Sequence, residues 1–243
     1  MQNHALLDRV SIVLVNTKTP ANIGATARCM MNMGLTHLVL VNPPHDDNGD
    51  ASRLAAGADH ILQRALVFSS LKEAVTGQSL VIGTSRRKSK RRKNILLPRD
   101  MAMSVVSLLD ENKVSIVFGN EVTGLEIRDI TLCHELISIP SAEAFPSLNL
   151  SHAVMIVAYE LFLAAVAPTA PSARKLGRTE DVELFYDRLE DTLQAIGFFN
   201  GQDSIRMMHS LRQIFARSRL DSRDVKILQG ILSTFNRVRR NSA

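Results

Sequence analysis

Short apolar runs and helix-like periodicity alternate along the first two thirds of the chain. The apolar runs are rich in β-branched residues and end at polar, glycine or proline positions, which is typical of strands buried in a parallel sheet. The predicted strands cover residues 11–16, 37–41, 65–68, 80–83, 114–118 and 136–139. The segments between them predict helices at residues 21–33, 52–58, 71–76, 98–109 and 149–165. This alternation favours an α/β fold with a mostly parallel sheet flanked by helices.

Polar loops follow two of the predicted strands. Gly119-Asn120-Glu121 comes after the strand at 114–118, and Pro140 ends the strand at 136–139. Ligands of open parallel sheets bind beyond the carboxyl ends of the strands. Either loop alone could be an ordinary βα turn. The two together, with small polar groups at residues 84–85 and 147–149, favour a nucleotide-like ligand held largely by backbone groups.

The helix predicted at residues 149–165 is apolar on almost every side. A helix with this pattern is buried on most of its surface. One face of a sheet covers only one stripe of a helix, so a second surface is required. We therefore predict that this helix lies in a homodimer interface.

The helix predicted at residues 21–33 carries candidate polar groups near its start. Asn22 is placed to cap the first turn, and Gly24 allows a second backbone to approach closely. Arg28 follows six residues after Asn22. A helix N-terminus attracts anions, but Arg28 could also be an ordinary exposed arginine.

The last third of the chain predicts a small helical domain. Residues 169–178 are rich in proline, alanine and polar residues, as in linkers, and separate residues 1–168 from residues 179–243. Three helices are predicted after the linker, with the apolar stripes Val182, Phe185, Leu189, Leu193 and Ile196; Met207, Met208, Leu211, Ile214 and Phe215; and Val225, Leu228, Leu232 and Phe235. Arg206, His209, Gln213 and Arg217 are predicted to form a basic outer face that docks nucleic acid.

The net charge of +5 is concentrated locally. Seven basic residues fall within residues 86–93, which read R-R-K-S-K-R-R-K. A localised basic patch suits a polyanion such as RNA. The alternative is a solvated loop, which is common for charge runs.

Several classes of protein are disfavoured by missing patterns. The sequence has no Gly-rich dinucleotide motif, no P-loop and no G-x-S-x-G elbow. Its seven histidines lack metal-ligand spacing, and no window of 18 uncharged apolar residues suggests a membrane span. Two cysteines and no signal-peptide pattern predict a reducing, cytoplasmic location.

Three segments carry a resemblance to a known family. Residues 15–28 (V-N-T-K-T-P-A-N-I-G-A-T-A-R), 118–125 (F-G-N-E-V-T-G-L) and 147–161 (S-L-N-L-S-H-A-V-M-I-V-A-Y-E-L) resemble, in order, the three motifs of the SpoU branch of the SPOUT RNA 2′-O-methyltransferases. The helical tail resembles that of one subgroup, the tRNA cytidine/uridine-32 ribose methylases. The resemblance implies a SPOUT-type sheet with a C-terminal trefoil knot, S-adenosylmethionine as cofactor, tRNA as substrate and a homodimer through the knotted region.

The resemblance also assigns roles to individual residues. The implied catalytic residues are Arg28, Asn22, Glu121 and Asn149, and the implied cofactor-binding residues are Thr84, Ser85, Gly119, Ile139, Ser147 and Leu148. The predicted RNA-binding residues are Arg86, Arg87, Lys88, Lys90, Arg91, Arg92, Lys93, Arg206 and Arg217, and no metal is expected.

Two of the implied catalytic residues are expected to have different roles. Arg28 would bind a phosphate and stabilise developing negative charge, while Glu121 would hold either Arg28 or Asn22 in place.

Two rival functions stay open at this point. The same scaffold could instead methylate ribosomal RNA. It could also serve as a non-catalytic RNA-binding or assembly protein.

Overall fold

A computed structural model describes residues 4–85, 95–167, 175–199 and 203–241 of the chain. Within these residues, seven strands form one sheet: β1 (Val10–Val15), β2 (His37–Val41), β3 (Leu66–Phe68), β4 (Leu80–Thr84), β5 (Ile95–Leu96), β6 (Val114–Phe118) and β7 (Glu135–Ile137). Their order is β3-β2-β1-β6-β4-β7-β5, and every pair is parallel. The predicted parallel α/β fold is confirmed. The two-residue strand β5 was not predicted, because two residues carry no periodicity.

Eleven helices are present in the described part of the chain. Eight belong to the sheet half: α1 (His4–Leu7), α2 (Pro20–Asn32), α3 (Asp50–Ala55), α4 (Asp59–Gln63), α5 (Leu71–Ala74), α6 (Pro98–Val106), α7 (Ile127–Thr131) and α8 (Leu150–Val166). Three form the helical half: α9 (Thr179–Ala195), α10 (Ser204–Ala216) and α11 (Ser222–Asn241). The helix predicted at 52–58 corresponds to α3, but its predicted end is wrong, since the chain turns at Ala56 and Gly57, both with positive φ, before α4 begins.

Alternating residues of the strands fill two cores on opposite faces of the sheet. On β1, Ile12 and Leu14 join a cluster with residues of α2, α6 and α8, whereas Val13 and Val15 join a second cluster with residues of α5. This alternation follows from the period of two along a strand. The two layers of helices leave the strand ends open at the carboxyl edge, where the polar loops of the sequence analysis lie.

Helices α2 and α3 pack unusually close together at Gly24. A Cβ atom added at this position would lie 1.9 Å from the carbonyl oxygen of Ala51. Only glycine, which has no Cβ atom, lets the two backbones come together here. The close contact predicted for Gly24 is therefore confirmed.

Helix α8 is covered largely within its own chain. Val154, Val157 and Leu161 are fully buried in the core shared with α2 and α6. Tyr159 and Val166 stay 48% and 51% exposed. The neighbouring helices thus supply much of the second surface for which a dimer was invoked. The homodimer and the trefoil knot both stay predictions.

The three helices of the tail enclose a separate core. Val182, Phe185, Tyr186, Met208 and Val225 are buried there. The inward orientation predicted for three stripe residues is wrong: Ile196, Ile214 and Phe235 are 44%, 56% and 52% exposed. All three lie at the edge of a stripe, where the neighbouring helices no longer reach.

The helical half is joined to the sheet half by specific contacts. Leu176 is buried in the core of the sheet half, and its N–H donates to Oδ1 of the buried Asn112 at 2.7 Å. The N–H of Thr179 donates to the carbonyl oxygen of Gln78 at 2.7 Å. Arg219 forms an ion pair with Glu135 at the start of β7.

Among the described helices, none has both the length and the hydrophobicity needed to cross a bilayer. Within the same residues, no group of three or more His, Cys, Asp or Glu side chains could hold a metal ion.

Candidate functional site

A cavity of about 200 Å³ lies at the carboxyl ends of β4, β6 and β7. These three strands are neighbours in the sheet, so the loops that follow them meet at one edge. The cavity is lined by every residue expected to hold a cofactor, namely Thr84, Ser85, Gly119, Ile139, Ser147 and Leu148. Glu121 also lines it. The structure therefore brings together residues that are up to 64 positions apart in the sequence.

The loop after β6 folds back tightly on itself. Asn120 accepts hydrogen bonds at Oδ1 from the N–H groups of Val122 and Thr123, at 2.9 and 2.8 Å. A Cβ atom added at Gly119 would lie 2.1 Å from the carbonyl carbon of Gly124. Glycine at position 119 therefore allows the two ends of the loop to meet, and it also lines the cavity.

The end of β4 is held to both neighbouring strands. The Thr84 hydroxyl donates to the carbonyl oxygen of Val117 at 3.1 Å, and the Ser85 N–H donates to the carbonyl oxygen of Ile137 at 2.9 Å. These bonds fix the level at which the three loops leave the sheet. The cavity is thus built on rigid strand ends.

Glu121, Asn22 and Asn149 form a chain of hydrogen bonds beside the cavity. Asn22 donates from Nδ2 to Oε1 of Glu121 at 2.7 Å, and Asn149 donates from Nδ2 to Oδ1 of Asn22 at 3.1 Å. The N–H of Lys18 donates to the other oxygen of Glu121 at 2.9 Å. Three of the four expected catalytic residues are therefore in direct contact.

The predicted capping role of Asn22 is wrong. The N-cap of α2 is Thr19, and Pro20 is the first residue of the helix. Asn22 thus lies inside the first turn, where its side chain points towards Glu121. Asn149 does act as a cap, because its Oδ1 accepts the N–H of Ser151 at the start of α8.

The carboxyl group of Glu121 is stabilised as an anion. Burial by itself raises its pKa, but hydrogen bonds from the Asn22 side chain and from backbone N–H groups, including those of Lys18 and Thr19, outweigh this effect. The net result is a pKa below the usual value of a glutamate. Each bond favours the charged acceptor over the neutral acid.

Arg28 is not part of this hydrogen-bonded group. Its side chain is exposed and has no hydrogen bond or ion pair with any residue that the structure describes. Six residues along an α-helix turn a side chain by about 120° from the starting face, so Arg28 and Asn22 point in different directions. Of the two alternatives for Glu121, the structure has it hold Asn22.

The structure describes only two of the residues predicted to bind RNA. Arg86, Arg87, Lys88, Lys90, Arg91, Arg92 and Lys93 lie outside the described residues. Arg206 and Arg217 are exposed at the two ends of α10. They are eleven residues apart, so they lie on one side of the helix.

A second cavity, of about 580 Å³, lies between the helices α9 and α10 and the start of β7. His209, Gln213 and Arg217 line it, so the polar side of α10 does not lie wholly outside as predicted. Its walls also contain ion pairs: Arg212 contacts Glu183 at 2.7 Å, and Arg219 contacts Glu135. Although this cavity is larger, the motif residues line the smaller one, and we place the candidate site there.

Two groups of the site were missed from the sequence. Lys18 contributes only its backbone N–H, so its side-chain type gives no signal. Ser151 lies within the third motif, but its hydrogen bonds to Asn149 depend on where α8 begins.

Comparison with known proteins covers both halves of the chain. The family model described as SpoU rRNA Methylase matches residues 9–159, and the model described as tRNA methyltransferase TrmJ, C-terminal domain, matches residues 180–243.

Two curated proteins are similar over nearly their full length. The tRNA (cytidine/uridine/adenosine-2′-O-)-methyltransferase TrmJ of Pseudomonas aeruginosa is 38% identical, with 97% of this chain and 96% of that protein covered. The tRNA (cytidine/uridine-2′-O-)-methyltransferase TrmJ of Escherichia coli K12 is 37% identical, with coverages of 94% and 96%.

Solved structures have the same fold. TrmJ from Z. mobilis ZM4 matches with a TM-score of 0.81 and 33% identity, over 93% of this chain and 98% of that one. The SpoU methyltransferase AviRb from Streptomyces viridochromogenes, solved with its cofactor AdoMet, matches with a TM-score of 0.53 and 21% identity, over 66% and 62% of the two chains. The likeness to AviRb concerns the fold alone.

Proposed function

This chain belongs to the SpoU rRNA methylase family, and we propose that it transfers a methyl group from S-adenosylmethionine to a ribose 2′-hydroxyl of tRNA. The observation that carries this proposal is the match of both halves to relatives named for tRNA ribose methylation. We further propose nucleotide 32 of the anticodon loop as the target. This finer assignment is supported by the resemblance of the tail to the subgroup that acts there.

The lining of the smaller cavity suits S-adenosylmethionine. It contains Gly119, which has no side chain, the polar Ser147 and the apolar Ile139 and Leu148, which is the mixture of surfaces that small-molecule sites use. We propose that Thr84, Ser85, Gly119, Ile139, Ser147 and Leu148 hold the cofactor. When bound, the cofactor supplies an electrophilic methyl group on a positively charged sulfur.

Asn22 and Asn149 are proposed to orient the ribose 2′-hydroxyl. Asn149 uses one hydrogen of its amide for Asn22, so the other is available to the acceptor sugar. Glu121 is an orienting anion in this scheme, because both of its oxygens already accept hydrogen bonds. Holding the reactants in line supplies much of the rate in such a transfer.

Arg28 is proposed to bind the phosphate next to the target and to stabilise charge on the 2′-oxygen. The guanidinium group of arginine does not give up its proton readily in proteins, so arginine is a poor general base. Its exposed position without a partner among the described residues suits a group that meets an incoming anion. Stabilising charge that develops in the transition state is often the largest catalytic contribution.

We also propose how the protein contacts tRNA and a second copy of itself. Arg206, Arg217 and the seven basic residues of 86–93 would contact the phosphates of tRNA. The exposed Tyr159 and Val166 of α8 would form part of a homodimer interface. We propose residues 1–168 as the methyltransferase domain and residues 179–243 as the RNA-docking domain.

Methyl transfer to RNA tests the proposal directly. Radiolabelled S-adenosylmethionine is incubated with the protein and either tRNA or ribosomal RNA, and the modified nucleoside is mapped by mass spectrometry. We expect label in the 2′-O-methyl group of nucleotide 32 of tRNA. Label in ribosomal RNA alone would support the ribosomal alternative, and no label in either RNA would support the non-catalytic one.

The Arg28→Ala variant tests the division of roles. We expect turnover to fall by about 100-fold or more, in the range seen for lost transition-state donors. The affinity for S-adenosylmethionine, measured by calorimetry, should stay nearly unchanged, because Arg28 does not line the cavity. Loss of cofactor affinity would contradict the role.

A further inference from the structure

The hydrogen-bond chain at the site has a fixed direction, which begins at Ser151. The N–H of Ser151 lies 2.9 Å from the side chain of Asn149. A backbone N–H can only donate, so the Asn149 atom that faces it must be the amide oxygen. The amide nitrogen of Asn149 is thereby turned towards Asn22, at 3.1 Å.

The same direction continues to the carboxylate. Asn22 receives the Asn149 amide at its oxygen, and its own nitrogen faces Glu121 at 2.7 Å. At the far end, the N–H of Lys18 donates to the second oxygen of Glu121 at 2.9 Å. Only one orientation of the Asn149 amide and one of the Asn22 amide satisfies all of these hydrogen bonds.

Ser151 makes a second hydrogen bond to Asn149 through its hydroxyl group. This hydroxyl donates to the same Oδ1 at 2.7 Å, and Ser151 is only 7% exposed. Asn149 itself is exposed, so packing does little to restrain its side chain. If its amide turned over, two oxygens would face each other at Asn22 and the chain would break.

We propose that Ser151 is a positioning residue for methyl transfer. Its hydroxyl holds the amide of Asn149 in the orientation in which Asn149 and Asn22 can present donor and acceptor groups to the ribose 2′-hydroxyl. The inference rests on the proposed function, because it concerns the same site. Ser151 touches neither cofactor nor substrate in this scheme and acts through Asn149.

A purely structural role for Ser151 makes different predictions. The carbonyl oxygen of Ser151 accepts a hydrogen bond from the Cys29 thiol at 3.6 Å, where α8 packs on α2. The Cys29→Ala variant disturbs this helix contact without touching the hydroxyl. It is therefore a matched control for Ser151→Ala, while Ser151→Thr keeps a hydroxyl at the same position.

The first measurement compares the kinetics of these variants on tRNA. We expect Ser151→Ala to lower kcat about tenfold, which corresponds to about 1.4 kcal/mol in the barrier, with the affinity for S-adenosylmethionine unchanged. Cys29→Ala should stay within about twofold of the wild type, a difference of under about 0.5 kcal/mol. A Ser151→Ala enzyme with wild-type kcat would overturn the proposal.

A double-mutant cycle with Asn149→Ala separates positioning from packing. If Ser151 acts through Asn149, removing its hydroxyl in the Asn149→Ala background has no further effect on kcat. Equal losses in both backgrounds would refute the coupling. Ser151→Thr should recover most of the activity that Ser151→Ala loses, and this check is independent of the cycle.

A readout without turnover distinguishes failure of this inference from failure of the proposed function. In protein labelled with ¹⁵N-asparagine, the hydrogen-bonded side-chain NH₂ proton of Asn22 and that of Asn149 should exchange slowly with solvent in the wild type. They should exchange faster in Ser151→Ala but not in Cys29→Ala. Unchanged exchange in Ser151→Ala would contradict the positioning role while leaving the proposed function intact. A wild type that methylates no RNA would contradict the proposed function, even if exchange at Asn149 still depended on Ser151.

Discussion

Glu121 is the residue on which the polar side of the site converges. Its two oxygens accept hydrogen bonds from one side chain and from the backbone of the loop before α2. These donors select the charged form, and they lower the pKa of Glu121 against the opposing effect of burial. The site is therefore arranged around a carboxylate that orients its neighbours while remaining ionised.

Glu121→Gln should lower kcat by about 100-fold, as for the loss of a positioned electrostatic group. The NH₂ group of the glutamine would face another donor, either the Asn22 NH₂ group or the Lys18 N–H. Two donors cannot bond to each other, so the chain of hydrogen bonds would break. Cofactor affinity serves as the internal comparison, since a Gln at position 121 preserves the shape of the cavity wall. Equal loss of kcat and of cofactor binding would contradict an orienting role.

The same substitution has a pH signature in stability. Because the folded-state pKa of Glu121 is depressed, its contribution to the free energy of unfolding is fully present above the unfolded pKa and is lost as pH falls through the folded one. The wild type should therefore have the higher urea midpoint at pH 7, and the difference should shrink as pH falls below the usual glutamate pKa of about 4.3.

At the scale of elements, the turn after β6 depends on glycine. Gly119→Ala would place a Cβ atom within 2.1 Å of the backbone at Gly124. We expect a loss of about 1–3 kcal/mol in the free energy of unfolding, as for overpacked sites, together with a weaker affinity for S-adenosylmethionine. Urea unfolding and calorimetry measure the two effects.

Gly230→Ala is the control for this prediction. Gly230 lies in α11, and a Cβ atom there meets nothing within 4 Å. Alanine in a helix is favoured over glycine by about 0.5–1 kcal/mol, so this variant should be neutral or slightly more stable. If both alanines had the same effect, the close approach at Gly119 would not be the cause.

The pattern of apolar residues predicted most elements of the sheet half but not how they meet. The strands of the fold were found because buried parallel strands are continuously apolar over a few residues. Asn22 was misread as a cap because its partner, Glu121, is 99 residues away and no local pattern reveals that contact. The order of the strands likewise depends on crossovers that periodicity does not encode.

The site residues were predicted through the family resemblance more than through chemistry. Composition and loop positions reached a nucleotide-like ligand at the strand ends, and no further. The inter-half contacts of Arg219 were not predicted, because Arg219 lies in a turn with a positive φ of 45° and outside every helical stripe.

At the scale of the whole molecule, the ion pair between Arg219 and Glu135 joins the two halves. Their side chains are only 20% and 16% exposed, and Arg219 also donates to Ser104 at 2.6 Å. Arg219→Ala should reduce the free energy of unfolding by about 2 kcal/mol, because hydrogen bonds to charged groups are lost and the carboxyl group of Glu135 loses its ion-pair partner. Chemical denaturation measures this loss.

Arg53→Ala is the matched comparison on the surface. Arg53 pairs with Asp50 at 2.7 Å, but its side chain is 73% exposed. Exposed pairs contribute between about 0 and 1 kcal/mol, so this variant should unfold almost like the wild type. Similar losses for Arg53→Ala and Arg219→Ala would mean that burial does not strengthen the inter-half pair.

The burial of Leu176 in the core of the sheet half affects the design of chimaeras in which the C-terminal helices of two relatives are exchanged. A chimaera joined upstream of Leu176 imports a foreign side chain into the host's own interior and a foreign N–H opposite Asn112. A crossover placed after Gly177 keeps the host's own Leu176 in its core. Swapped specificity is then attributable to the grafted helices, without a repacked interior as a second cause.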